Sequence, residues 1–356
     1  MQHPGILIQK TAALGDVLRT TSILPGLAAR YPGVPITWAT APGAVDLVRT
    51  HPLLAEVVAL DTRSPAAFAQ ASAHLVERGW QWVISLDDEE PLCALASRLA
   101  TGRLSGAHLS PAGERVYTRD VAAWFDMGLL SVHGKAEADR LKVVNQKSHP
   151  QIYAEMLGIP MGQPELVLPG EVRERARAFA QGLALEPGVP LVGLNTGAGG
   201  RWVSKQLPVE RTVELAAGIS RALAGRVAFL VLGGEAEAQR MQAILDGLRT
   251  HSDRPRGIDA GSGNGLLDFA ARVELCSLLV TSDSLALHMA TALRRRVVAF
   301  FAPTSAAEIE LYGLGEKLWS TATDYCSYRP DADNSSLTAE RLLPVCLRQL
   351  ERARGG

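Results

Sequence analysis

Between residues 190 and 303 one pattern recurs: a short apolar run, a glycine-rich or polar turn, then a helix-forming stretch. PLVGLNTGAGG is a buried strand running into a glycine turn, and Pro208 opens a helix reaching about residue 224. RVAFLVLGGE repeats the strand and turn before a helix near 235–249 and a short strand at 257–260. A helical stretch at 265–276 leads to the strand LLVTSD, the helix SLALHMATAL and the closing strand RVVAFFAP. Continuous apolar strands alternating with helices require a parallel sheet covered on both faces. In such sheets ligands bind at the carboxyl edge, where the turns gather.

The first half shows the same alternation. Strands are expected at 5–10, 35–40, 55–60 and 82–86, with helices near 16–30, 42–50, 65–78 and 91–100. From 102 to 147 the pattern weakens into loops with one short helix near 119–126. A helix at 148–158 precedes IPMGQPELVLPGE, whose prolines and glycines mark an interdomain linker, and a helix at 171–184 follows. The expected division is a first domain over 1–165 and a second over 166–335. A final segment, 336–356, carries a helix at 337–352 that packs back on the first domain.

At 356 residues the chain suits two domains, and 47% hydrophobic residues exclude disorder. With 36 Lys+Arg against 37 Asp+Glu it lacks the charge of a nucleic-acid protein. No apolar run is long enough to span a bilayer and no signal-peptide pattern opens the chain, so a cytoplasmic protein is expected. Cys93, Cys276, Cys326 and Cys346 are widely scattered without a CxxC, which favours buried thiols over a zinc site. There is no GxSxG elbow and no HExxH. The acidic run Asp87–Glu90 has no nearby histidine and reads as a solvated loop or helix start rather than a metal site.

Four places can carry chemistry. Asp16 follows the first strand directly before a helix; it reads as an N-cap, or as a carboxylate that accepts a proton from an acceptor hydroxyl. The positive helix end that would hold it also weakens it as a base, so it is expected to orient the acceptor and take its proton late. In NTGAGGRWVSKQLP, small residues from Gly197 to Gly200 allow a ligand to approach backbone amides. Thr196 and Ser204 add hydroxyls there, and Lys205 adds a charge beside a helix entrance. In TSDSLALHMATAL, Asp283 and Ser284 stand at a strand-to-helix turn, and His288 shares a helical face with Ser284. Their plain alternative is a helix cap and a core histidine. Glu235, after Gly233 and Gly234, is either an acid at a helix start or a carboxylate for ribose hydroxyls.

The motifs ILIQKTAALGDVLRTTSILPGL, NTGAGGRWVSKQLPVERTVELA, VLGGEAEAQR and TSDSLALHMATALRRRVVAFFAPTSAAEIELYG resemble glycosyltransferase family 9, which includes the lipopolysaccharide heptosyltransferases. The resemblance runs over most of residues 5–313 in the family's order. It implies a GT-B fold, two Rossmann-like domains whose parallel sheets face a central cleft. It also implies inverting, metal-independent transfer from a nucleotide sugar, by default ADP-heptose, with no cofactor. Asp16 matches the family's proposed general base. Thr196 and Lys205 fall where the family binds the diphosphate, Glu235 where it holds the ribose, and Asp283, Ser284 and His288 in its donor motif. Leu285 stands where the family has glycine, which keeps a catalytically idle nucleotide-sugar binding module as the rival reading. A dinucleotide-dependent oxidoreductase is a second rival, opposed by the lack of GxGxxG. The implied partners are the donor and a glycan or lipid-linked acceptor, with lipopolysaccharide synthesis at the inner membrane surface as the setting. At the fourth strand's exit, the acidic run 87–90 would repel a phosphate-bearing lipid, whereas Arg63, Arg103, Arg115 and Arg119 offer a basic patch.

Overall fold

A computed structural model describes residues 4–128, 130–198 and 202–354. The chain divides into two units, Met1–Val167 and Leu168–Gly356, and the division falls inside the proline- and glycine-containing run 159–171.

In the first unit the order is β1 (Gly5–Gln9), α1 (Leu14–Thr20), α2 (Ile23–Arg30), β2 (Ile36–Thr40), α3 (Val45–Val48), β3 (Glu56–Ala59) and α4 (Pro65–Val76). It continues with β4 (Trp80–Ser85), α5 (Glu90–Arg98), β5 (Leu104–Leu109), β6 (Arg115–Tyr117), α6 (Ala122–Phe125), α7 (Lys135–Val144) and α8 (His149–Leu157). The sheet order is β3-β2-β1-β4-β5-β6, parallel except for the antiparallel β5–β6 pair. β1 and β2 are buried at every position, as strands covered on both faces must be. Leu7, Ala39 and Val83 from three neighbouring strands meet Leu92, Leu95 and Leu75 of α5 and α4 on one face.

Two elements correct the expected loops at 102–147. SPAG closes a hairpin between β5 and β6, with Ser110 N–H donating to the Glu114 carbonyl at 2.8 Å. The hairpin is short and half-exposed, so β5 gains its strand character mainly from pairing with β4. α7 has little apolar face; Arg140–Glu137 at 2.6 Å and Lys142–Asp139 at 3.2 Å supply helix-spaced ion pairs instead.

The second unit runs α9 (Gly170–Gly182), β7 (Leu191–Asn195), α10 (Val209–Ala222), β8 (Ala228–Val231), α11 (Ala238–Thr250), β9 (Arg256–Asp259) and α12 (Leu266–Leu275). β10 (Leu278–Ser282), α13 (Leu285–Ala292), β11 (Arg296–Phe301), β12 (Gly315–Trp319) and α14 (Ala339–Arg354) complete it. All six strands are parallel, in the order β12-β11-β10-β7-β8-β9. Successive strands therefore step away from β7 in one direction, then restart beyond it at β10. The crevice between β7 and β10 is the topological switch point of a Rossmann-like sheet. The sequence pattern did not indicate β12, an edge strand of half-buried, charged residues.

α14 packs on α10 and on β10, β11 and β12 of its own unit. Leu342, Val345, Cys346 and Leu350, at helical spacing, enter the same core as Phe229, Val280 and Phe300. Fully burying each of these large aliphatic side chains is worth about 1.5–3 kcal/mol, which fixes where the helix lies.

Candidate active site

Asn195 ends β7 and Ser282 ends β10, and the residues just beyond them line a cavity of about 430 Å³ at the switch point. Asn195, Gly197, Ala198, Trp202 and Lys205 come from the loop after β7, and Gly233, Gly234 and Glu237 from the turn after β8. Asp283, Ser284, Leu285 and Ala286 come from the start of α13, with Asn264, Leu266 and Phe269 completing the wall. The volume lies within the range of small-molecule sites.

Polar contacts tie these strand ends together. Lys205 Nζ donates to Asp283 Oδ2 at 2.8 Å and to the Asp283 carbonyl at 3.0 Å. The pair is mostly buried, at 15% and 19% side-chain exposure, so the ammonium is held in place rather than sampling solvent. Ser284 is the N-cap residue of α13, and its hydroxyl lies 3.0 Å from Thr281 Oγ1 and 3.3 Å from Asn195 Oδ1. Thr281 Oγ1 also donates to Asn195 Oδ1 at 3.0 Å, and Asn195 Nδ2 donates to the Leu232 carbonyl at 3.3 Å. The chain β8–β7–β10 is thereby cross-linked at its carboxyl edge. Lys205 and the positive end of α13 make one end of the cavity suited to an anion.

Glu237 borders the same cavity. Its Oε2 accepts from Gly234 N–H at 3.0 Å, closing the first turn after β8. A Cβ on Gly197 would lie 1.8 Å from Glu237 Oε1, so any larger residue there would displace the Glu237 carboxylate. Phe269, Leu266 and Trp202 give the remaining wall apolar surface. This is what an aromatic base with hydroxyl and phosphate appendages requires: a flat apolar wall, a carboxylate and a cation.

Not all expected residues share the cavity. Gly197, Lys205, Asp283 and Ser284 line it; Thr196, Glu235 and His288 do not. Thr196 is buried at 1% exposure, with its hydroxyl 3.1 Å from Thr212 Oγ1. Arg240 donates to both its carbonyl and its hydroxyl at 3.2 Å. Thr196 thus anchors the loop to α10 and α11. Burial pulls the Arg240 guanidinium below its ordinary value, with Glu237 and Glu210 opposing. Glu235 is exposed, and the glutamate of this turn that lines the cavity is Glu237, two residues further on. His288 is buried behind Asp283, Nε2 to Oδ1 3.9 Å. Gly199 and Gly200 of the glycine run lie outside the described residues. Leu285 contributes an apolar side chain to the wall.

Asp16 belongs to the first unit and is not an N-cap. Ala13 holds that position, since Val17 N–H already donates to the Ala13 carbonyl at 2.9 Å. Asp16 is the third residue of α1, and its Oδ1 pairs with Arg19 Nη2 at 2.8 Å. The loop before it is fixed at that sheet's own switch point, between β1 and β4. Lys10 Nζ binds Asp87 and the Ala12 carbonyl, and Thr11 donates to Asp87 through its N–H and, at 2.8 Å, its hydroxyl.

Within the acidic run, Glu89 and Glu90 are exposed and Glu90 opens α5, as the helix-start reading has it, whereas Asp87 and Asp88 are not solvated loop residues. Asp87 is neutralised by Lys10, and Asp88 accepts from Tyr117 OH at 3.2 Å. Burial, reinforced by Asp88, pushes the Tyr117 phenol up. Of the arginines expected as a basic patch, Arg103 is committed to Asp120 at 3.2 Å and stacks over Trp82 at 3.8 Å, and Arg63 pairs with Asp61 at 3.5 Å. All four cysteines are buried.

The model of glycosyltransferase family 9 (heptosyltransferase) matches residues 117–334, more than half of the sequence. The chain belongs to glycosyltransferase family 9. Family 9 membership makes it a glycosyltransferase, and its two Rossmann-like units are those of the GT-B fold. It is 24% identical to lipopolysaccharide heptosyltransferase 1 of Pseudomonas aeruginosa, over 98% of this chain and 95% of that protein. Among solved structures it resembles the family 9 glycosyltransferase of Veillonella parvula, with TM-score 0.79, 19% identity, and 99% and 98% of the two chains covered. It also resembles the E. coli ADP-heptose lps heptosyltransferase II, with TM-score 0.67, 18% identity, and 98% and 99% coverage. No helix among the described residues is long and apolar enough to cross a membrane.

Proposed function

We propose that the chain transfers a heptose from ADP-heptose to a hydroxyl of a glycan or lipid-linked acceptor, with inversion and without a catalytic metal. The observation that carries this reading is the second unit's cavity, which a fixed Lys205–Asp283 pair and the start of α13 share with Glu237 and Phe269. Its shape and chemistry suit a nucleoside diphosphate sugar. The ADP-heptose choice is supported by the relatives' named substrate and activity.

In this reading Lys205, the Ser284 amide end of α13 and the loop amides near Gly197 receive the diphosphate. Glu237 accepts from the ribose hydroxyls, the role expected of Glu235. Phe269 and Leu266 pack against the base. The acceptor oxygen attacks the anomeric carbon opposite the leaving diphosphate. The glycosidic bond forms as the carbon–oxygen bond to ADP breaks, which inverts the centre. Asp16 takes the acceptor's proton, and the charge developing on ADP meets donors already in place. The acceptor lies in lipopolysaccharide or related surface-glycan synthesis, which has the enzyme working on the cytoplasmic side of the inner membrane.

The test is paired. ADP-heptose is expected to bind more tightly by calorimetry than UDP- or GDP-sugars. Asp16→Asn is expected to keep that binding within a few-fold while losing about 10²–10⁴-fold in turnover. Active Asp16→Asn enzyme removes Asp16 as the base. Tight binding with no turnover by the unaltered chain supports the idle binding module, the reading that Leu285 in the cavity wall favours.

A further inference from the structure

Arg19, like Arg78 and Arg103 of the first unit, combines a carboxylate partner with an aromatic ring, and in its case the carboxylate is Asp16. The Arg19 guanidinium carbon lies 5.4 Å from the centre of the Trp124 ring in α6. Trp124 is itself met edge-on by two rings of α8, His149 at 5.0 Å and Tyr153 at 5.2 Å, with interplanar angles of 90° and 87°. Those two rings are buried and lie 3.9 Å apart. Trp124 thus contacts both α8 rings and Arg19, and Arg19 in turn pairs with the Asp16 carboxylate at 2.8 Å.

We propose that Arg19, clamped by Trp124, is the positioning residue for Asp16: it holds the carboxylate ionised and in one rotamer. The proposal rests on the reading of Asp16 as the base. An i,i+3 pair on a helix surface is ordinarily weak, because both long side chains must give up freedom to meet. Here the aromatic face removes the arginine's freedom beforehand; its side chain is only 14% exposed against 38% for Asp16. The clamp also keeps the guanidinium from leaving Asp16 for the phosphates of an anionic substrate. Trp124 also meets the titratable rings His149 and Tyr153 of α8.

The test reads Asp16 directly. Carboxyl-carbon NMR of protein labelled with ¹³C-aspartate, with the Asp16 signal assigned by its loss in Asp16→Asn, gives the titration midpoint. Arg19→Gln is expected to raise that midpoint by about one pH unit or more, a tenfold tighter hold on the proton, since an adjacent cation favours the charged carboxylate. Arg19→Lys should raise it less, and Trp124→Leu, which leaves both charges, should shift it in the same direction. ADP affinity should be unchanged in all three, because the donor cavity belongs to the second unit. A folded Arg19→Gln protein with the original midpoint overturns the proposal, and a shift in Arg19→Gln with none in Trp124→Leu overturns the clamp. The midpoint needs no turnover, so an active Asp16→Asn enzyme would sink the base reading separately.

Discussion

Gly197 and Glu237 touch so closely that a methyl group on the glycine would overlap the carboxylate, its carbon 1.8 Å from Oε1. The loop after β7 and the turn after β8 are therefore fitted to each other at the cavity wall. In Gly197→Ala the flexible carboxylate yields before the backbone does and gives up its bond to Gly234 N–H. ADP affinity should fall about tenfold, the cost of one charge-assisted hydrogen bond, with the melting temperature within about 2 °C. Calorimetry against ADP checks it; unchanged affinity would show that Glu237 does not meet the ligand.

Lys205→Ala should cost more than one contact. It removes the cation and leaves Asp283, mostly buried and facing the same cavity, without its 2.8 Å partner. ADP binding should weaken by about 10²-fold, and Lys205→Ala/Asp283→Asn should recover part of that, because the second change removes the repulsion left behind. If the double variant binds no better than Lys205→Ala, the carboxylate is not the source of the loss.

His51 gives the first unit a pH dependence near neutrality. Burial holds its imidazole below the ordinary 6.5, with Glu165 pulling the other way, and Nδ1 accepts from Leu53 N–H at 3.2 Å. Protonating Nδ1 would break that bond. A histidine whose folded value is lowered binds its proton more readily when unfolded. Stability is therefore full above about pH 6.5 and falls as the pH drops toward the folded value. Thermal melts from pH 7.5 to 5 should show a steeper decline for the unaltered protein than for His51→Gln. Parallel curves would rule His51 out.

The thiols should be silent in the native protein. Burial pushes Cys276 and Cys346 up to about 12 and raises Cys93, and Cys326 is 2% exposed. Reaction with a thiol-specific disulfide reagent should report none in buffer and four in denaturant. A fast-reacting native thiol would contradict the packing of α12 or α14.

The alternation of apolar runs and turns made the parallel sheets legible, because a strand buried on both faces must be apolar throughout, as GILIQ and ITWAT are. It did not reveal β5, β6, α7 or β12, whose order comes from tertiary pairing or ion pairs rather than apolar periodicity. In the cavity, Lys205, Asp283 and Ser284 were legible as strand-end polar residues. Glu237 was hidden because a helical start swings the residue two places after Glu235 inward. Asn264 and Phe269 come from the turn GSGNG and the helix beyond it; the glycine turn after a short strand was a usable signal. Arg19 was visible only as an i,i+3 neighbour of Asp16, and its partner Trp124 is more than a hundred residues away in sequence.

The burial of α14 against β10–β12 has a consequence for synthesis. The first unit's strands and helices are complete once residue 167 has left the ribosome. The second unit's sheet must wait for the last helix of its cover, which arrives roughly 150 residues after β7 and, at 5–20 residues per second, about eight to thirty seconds later. During that interval the apolar face shared by Phe229, Val280 and Phe300 lacks its helix. This half of the chain is where a nascent molecule most needs a chaperone.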